Sequence, residues 1–164
     1  MNEQENRRVN AAEIHLQSVK VINGSISANP DLDPTTISEF KMDFLTKTGT
    51  NVSANLVRIV FTIALTGLNI EKKNLDVSAS YTIDFGFTID SLERFVVNSD
   101  TSNELFIDSN LGATLMSIVY STTRGIILTR TQGTIIDGVI LPVIDPKTLL
   151  NITSQLKQSE NEIE

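Results

Sequence analysis

The sequence predicts an α+β fold, a four-stranded antiparallel sheet packed against one long and one short C-terminal helix. Three observations point to it. The 164 residues include nineteen isoleucines, eighteen threonines and twelve valines, whose stiff χ1 angles favour pleated backbone. Two long segments, 52–68 and 75–89, carry apolar residues at strict spacing two. Helical spacing starts only after residue 108, so strands come first and helices last.

Residues 1–12 are polar and aperiodic and are expected to form a frayed leader. From Ile14 to Ala28 the apolar residues pair at spacing two, Ile14 with Leu16, Val19 with Val21, Ile26 with Ala28. Each change of phase predicts a bulge, the second helped by Gly24. The prolines and Asx residues of 29–34 predict a loop that crosses between strands. A second strand is expected from Ile37 to Lys47, with Phe40, Met42 and Phe44 on one face, followed by a turn at Thr48–Asn51. The third, Val52 to Leu68, places Val57, Ile59, Phe61, Ile63 and Leu65 on a buried face. After a charged turn, Leu75 to Ile89 alternates from Val77 through Ile89, with Asp84 among the outward polar residues.

Such a sheet needs a cover on its apolar side. Asp108, Ser109 and Asn110 are cap candidates, and Leu111, Leu115, Ile118, Val119, Thr122 and Ile126 follow at helical spacing to about Thr129. Gly125 inside this helix points to close backbone approach by a neighbour. Residues 131–144 form a connector that holds Ile135, Ile136, Val139, Ile140, Leu141, Val143 and Ile144. Asp145-Pro146 starts a short helix carrying Leu149, Leu150 and Leu156. A single domain over 13–157 and an acidic tail over 158–164 complete the expected organisation.

Composition excludes whole classes of function. Thirteen basic against twenty acidic residues, net −7, oppose binding to a phosphate backbone, so no nucleic acid partner is expected. The absence of cysteine removes thiolate chemistry, and a single histidine leaves little for acid–base work. His15 reads as a surface residue, and Asp31 with Asp33 as a turn and not a cation site. No nucleophile–base set, cofactor loop or metal motif is found, so neither catalysis, metal nor cofactor is expected. With neither a secretory leader nor an apolar run of ~18 residues, the expected protein is cytoplasmic and not inserted in a membrane.

Apolar side chains remain where a compact domain does not require them, on the second strand, the connector and the last helix. Together they suit an apolar groove for unfolded chain segments. The alternatives are a structural oligomer that uses these surfaces only for assembly, and ordinary core.

Several stretches carry a resemblance to the SecB export chaperones. Phe40-Lys41-Met42-Asp43-Phe44 is similar to the family's second strand, and Phe85-Gly86-Phe87-Thr88-Ile89 to the end of its fourth. Arg124-Gly125 falls where the family has an Arg-Gly pair, and Leu141-Pro142-Val143-Ile144-Asp145 resembles the Leu-Pro-Pro-Ile-Asn motif before its last helix. The resemblance implies a Greek-key-type crossover and an ATP-independent holdase that assembles as a homotetramer, a dimer of dimers. It implies that unfolded polypeptides bind along Phe40, Met42, Phe44, Leu141, Val143, Ile144, Leu149 and Leu150, and that Leu115, Ile118 and Gly125 pack helices between subunits. The positions that match the family's acidic sheet face, Asn23, Ser27 and Ser80, are uncharged. Delivery to the SecA motor is therefore doubtful, and a dedicated partner such as an antitoxin is the alternative.

Overall fold

A computed structural model of the chain describes residues 8–98 and 105–150. Its elements are β1 (Ile14–Ala28), β2 (Glu39–Asn51), β3 (Leu56–Leu68), β4 (Asn74–Ile89), β5 (Val96–Asn98), β6 (Leu105–Ile107) and α1 (Ser109–Arg130), with residues 146–150 helical at the end. The expected acidic tail and the remainder of the last helix, including Leu156, lie outside the described residues. Of the leader, residues 8–12 are described, and Ala11–Glu13 forms a 3-10 turn capped by the Asn10 side chain.

The main sheet has the order β1-β4-β3-β2 and is antiparallel throughout. Two hairpins join β2 to β3 and β3 to β4, so β1 reaches β4 only because residues 29–38 cross the end of the sheet. The main chain of Asn29 donates to Asp76 O at the start of that crossing, and that of Ser38 donates to Leu68 O at its end. Between them Asp33 caps the Pro34–Thr36 turn, accepting from the Thr35 main chain and hydroxyl. The Thr35 bonds hold the Asp33 carboxyl below its ordinary range. Its oxygens thus serve the turn.

Register follows the apolar pattern. The two phase changes in β1 are bulges, between Leu16 and Ser18 and between Val21 and Asn23. Gly24 has a different task from the one expected: it stands opposite Tyr81, and a Cβ there would lie 3.0 Å from the ring. Every expected inward residue of β3 and β4 is buried. The β2–β3 hairpin is longer than expected, because the chain turns at Val52–Asn55 instead of Thr48–Asn51. The Asn51 side chain accepts from Ala54 N and Ser53 Oγ, and Asn55 takes the left-handed conformation at φ 57°. This Asx chemistry outcompetes Gly49, which stays extended between β-branched threonines.

The stretch after β4 gave no sequence signal; in it Leu92–Phe95 forms a 3-10 turn and Val96–Asn98 pairs with Leu105–Ile107 as the β5–β6 ladder. Leu92 and Phe95 enter the core from that turn, and Arg94 pairs with Glu13 at the start of β1.

The long helix covers the sheet. Asp108 caps it by accepting from Asn110 N. Its buried stripe is Leu111, Leu115, Met116, Val119, Tyr120, Thr123 and Ile127. This corrects the expected face: Ile118, Thr122 and Ile126 are only half-buried. Residues 109–123 contain no charge, so hydropathy alone gives several faces nearly equal claims to the core. By length and composition α1 could cross a membrane. Seven of its residues are buried, and its Tyr120 ring meets Phe44 and Phe61 of the sheet.

Three outcomes are expected. Gly67→Ala puts a Cβ 2.3 Å from Val77 Cγ1 and should cost about 1–3 kcal/mol, with partial recovery when Val77→Ala is added; urea midpoints measure both. Thr123 is wholly buried and its hydroxyl has no partner, so Thr123→Val should stabilise by about 1 kcal/mol, seen as a Tm rise of roughly 2–4 °C. On the outer sheet face, Arg58 Nε and Nη2 donate to the two Asp84 oxygens at 2.8 and 2.7 Å. These bonds hold the Asp84 carboxyl below its ordinary range, against the opposing effect of burial. The depressed pKa means that Asp84 stabilises the fold above the ordinary carboxylate range and ceases to do so as pH falls through its own value. The wild type and Asp84→Asn should therefore differ in urea midpoint at pH 7, with the difference shrinking as pH falls below the ordinary carboxylate range, and equal midpoints at pH 7 would count against the assignment.

Candidate functional site

An aromatic junction links the sheet, the helix and the connector. Phe44 on β2 stacks on Phe61 of β3 with centroids 5.9 Å apart, and Tyr120 meets both rings edge-on at 5.9 and 6.3 Å. The phenol hydroxyl of Tyr120 reaches past them and donates to Pro142 O at 2.9 Å. Burial pushes its pKa up, against the pull of Arg124, so the phenol stays protonated and remains a donor. Arg124, one turn further along α1, donates from Nε to Leu141 O at 3.0 Å.

The connector reaches these donors through a series of turns. The Thr131 main chain donates to Ile127 O, and the Thr134 main chain and hydroxyl both donate to Thr131 O. Gly133 and Gly138 take φ values of +72° and +81°, which favour glycine, and Asp137 Oδ2 accepts from Gly133 N. From residue 139 to 145 the main chain has no regular structure. Asp145 then caps the final helical residues by accepting from Lys147 N. Leu150 lands against Gly112, whose Cβ would lie 3.3 Å from it. Contacts 124–141, 120–142 and 112–150 show the chain returning antiparallel to α1.

This course sorts the candidate residues. Phe40, Met42 and Phe44 lie on the inner sheet face, opposite Gly67, Leu65 and Ile63, and all three are half-buried. Leu141 and Leu149 are 1% and 2% exposed, so in this chain they anchor the connector from below and offer no surface. Ile144 and Leu150 are half-buried, while Val143 is 85% exposed. Ile140, 67% exposed, belongs with Val143 although the sequence did not single it out. The two are separated by buried Leu141 and exposed Pro142 and form an apolar lip. Tyr120 and Arg124 were also missed as organisers; the available signal was a phenol and a guanidinium at i, i+4 on a helix with otherwise no charge before Arg124.

Of the helix-packing candidates, Leu115 is wholly buried against the sheet. Ile118 is half-buried at the margin of the core, and Gly125 is exposed with nothing within 4 Å of a Cβ built on it. Three hydroxyls of α1 bond within the helix: Thr114, Ser121 and Thr129 donate to the carbonyls of Asn110, Ser117 and Gly125. These groups therefore require little from water. Across the sheet, β1 exposes Leu16 and Val19 by 42% and 40% although both point to the inner side, opposite Phe87 and Phe85.

Among the described residues, two titratable side chains singled out by the sequence, His15 and Asp84, are engaged in ion pairs. His15 Nε2 lies 3.3 Å from Asp90 Oδ2 in an exposed pair. Asp84 is engaged by Arg58. Among the described residues no group of three or more His, Cys, Asp or Glu is placed to hold a metal.

No family model matches the chain, and no curated protein matches it by sequence. A Streptococcus agalactiae protein of unknown function superposes at TM-score 0.32 with 17% identity, over 80% of this chain and 98% of that one, too loosely to support an argument. A SecB-like chaperone of Mycobacterium tuberculosis, solved in complex with a ChAD peptide from the HigA1 antitoxin, superposes at TM-score 0.59 with 11% identity, over 82% of this chain and 92% of that one. In its four antiparallel strands, long helix and short returning helix, the chain has a SecB-like fold.

Proposed function

We propose that this protein is an ATP-independent holdase of the cytoplasm that binds non-native polypeptide along β2, the connector lip and the last helix. One observation supports this most: Ile140 and Val143 are apolar, largely exposed, and held outward beside a half-buried apolar strand. Burying such groups favours association by roughly 25 cal/mol per Å² before ordering costs and demands no particular client sequence. No nucleotide or cofactor has a part in the reading.

The same reading includes assembly. β1 is an edge strand with uncovered apolar residues on its inner side, and the outward face of α1 has hydroxyls satisfied within the helix. Pairing of β1 edges and packing of α1 helices would bury both surfaces in a dimer of dimers. The uncharged outer positions Asn23, Ser27 and Ser80 favour a dedicated partner over delivery to SecA. The M. tuberculosis neighbour, bound to an antitoxin peptide, gives that choice a precedent.

The test is suppression of light scattering from a chemically unfolded client at stoichiometric ratio without nucleotide. Val143→Asp should weaken binding of a labelled unfolded chain about tenfold, the loss of one buried aliphatic side chain. Because Val143 is exposed, oligomer size by light scattering should not change. If wild type forms the oligomer but binds no unfolded chain, the purely structural reading stands instead.

A further inference from the structure

We propose that Tyr120 and Arg124 are positioning residues which preset the connector for binding, an inference that rests on the holdase reading. Between the turn bond from Val139 N to Ile136 O and the helix-start bond from Thr148 N to Asp145 O, residues 140–144 have no regular structure to fix them. Among the described residues, the side-chain bonds to their carbonyls are those from Arg124 Nε to Leu141 O and from Tyr120 OH to Pro142 O. Two donors one helical turn apart thus seize two consecutive carbonyls.

The consequence is a fixed side-chain orientation. With carbonyl 141 drawn to the helix, the Leu141 side chain is buried at 1% exposure while Ile140 on one side and Val143 beyond Pro142 are turned out at 67% and 85%. Pro142 has no N–H, so at that residue the main chain can be held only through its carbonyl. Without the donors, Ile140 and Val143 would be free to fold onto the half-buried apolar strip and close it. Holding them apart leaves the site open before a client arrives, so less ordering is needed on binding.

The test compares wild type, Arg124→Gln and Tyr120→Phe. The second variant keeps the ring contacts with Phe44 and Phe61 and removes only the hydroxyl. Hydrogen exchange should accelerate in both variants at the bonded amides that flank the connector, Val139, Lys147 and Thr148, and stay unchanged across β3 and β4. Affinity for labelled reduced, carboxymethylated α-lactalbumin should fall about tenfold. Val143→Asp should lose affinity without faster exchange. Variants that bind like wild type overturn the inference, as does weaker binding with unchanged exchange, since the two side chains would then be touching the client themselves. If wild type fails to bind the probe at all, the holdase reading falls, and connector exchange in the two variants still decides whether they set its course.

Discussion

One helix cannot cover four strands. An α-helix is about 10 Å wide with its side chains, whereas four strands spaced about 4.8 Å apart put roughly 14 Å between the outer two. The inner face of this sheet is apolar on every strand, and α1 buries its centre, where the inward residues of β3 and β4 are at most a few percent exposed. Its flanks stay partly open. Leu16 and Val19 on β1, and Phe40, Met42 and Phe44 on β2, are the uncovered remainder. The connector closes some of the gap by sending Ile136, Val139 and Leu141 into the core. The proposed binding strip and assembly edge are thus two outcomes of one shortage of cover.

Charge placement is consistent with this division. Several outer-face charges are paired locally, Arg58 with Asp84, Lys41 with Asp43 and Lys72 with Glu39. The more exposed pairs, Lys41 with Asp43 and Lys72 with Glu39, contribute little stability, but they keep the sheet's outer side and the β2 edge unattractive to other strands. The first 15 residues of α1 have no charge at all. Net charge of −7 then counters self-association of a molecule with open apolar surface, a role in solubility and not in docking.

Legibility in the sequence follows the range of the forces involved. Where period-two alternation decides burial, the expectation matches to the residue, as at β1 with its two bulges and at the buried faces of β3 and β4. Where one side chain's local bonding decides, it fails by a few residues, as at Asn51 and Asn55. The β5–β6 ladder has three residues per strand, too few for any period to register. The connector is the instructive case. Its seven aliphatic residues are visible as a group, yet which of them face the core depends on donors some twenty residues upstream. Composition therefore gave Leu141 and Val143 equal standing, and geometry separates them.

That separation bears on how an apolar site can exist in water without closing on itself. Hydrophobic attraction is non-directional, so nothing in Ile140 or Val143 alone prevents either from packing onto the nearby strand. Hydrogen bonds are directional, and those to Leu141 and Pro142 fix the main chain, from which side-chain direction follows. A charged donor strengthens one of them, and the buried phenol of Tyr120 makes the other in a setting where losing it would leave a polar group unpaired. The aromatic contacts of Tyr120 with Phe44 and Phe61 then tie that donor to the sheet. Core packing thus sets the donor, the donor sets the carbonyl, and the carbonyl sets which side chains stay in water. A site built in this way owes its opening to polar bonds and its affinity to apolar surface, which allows the two to be altered separately.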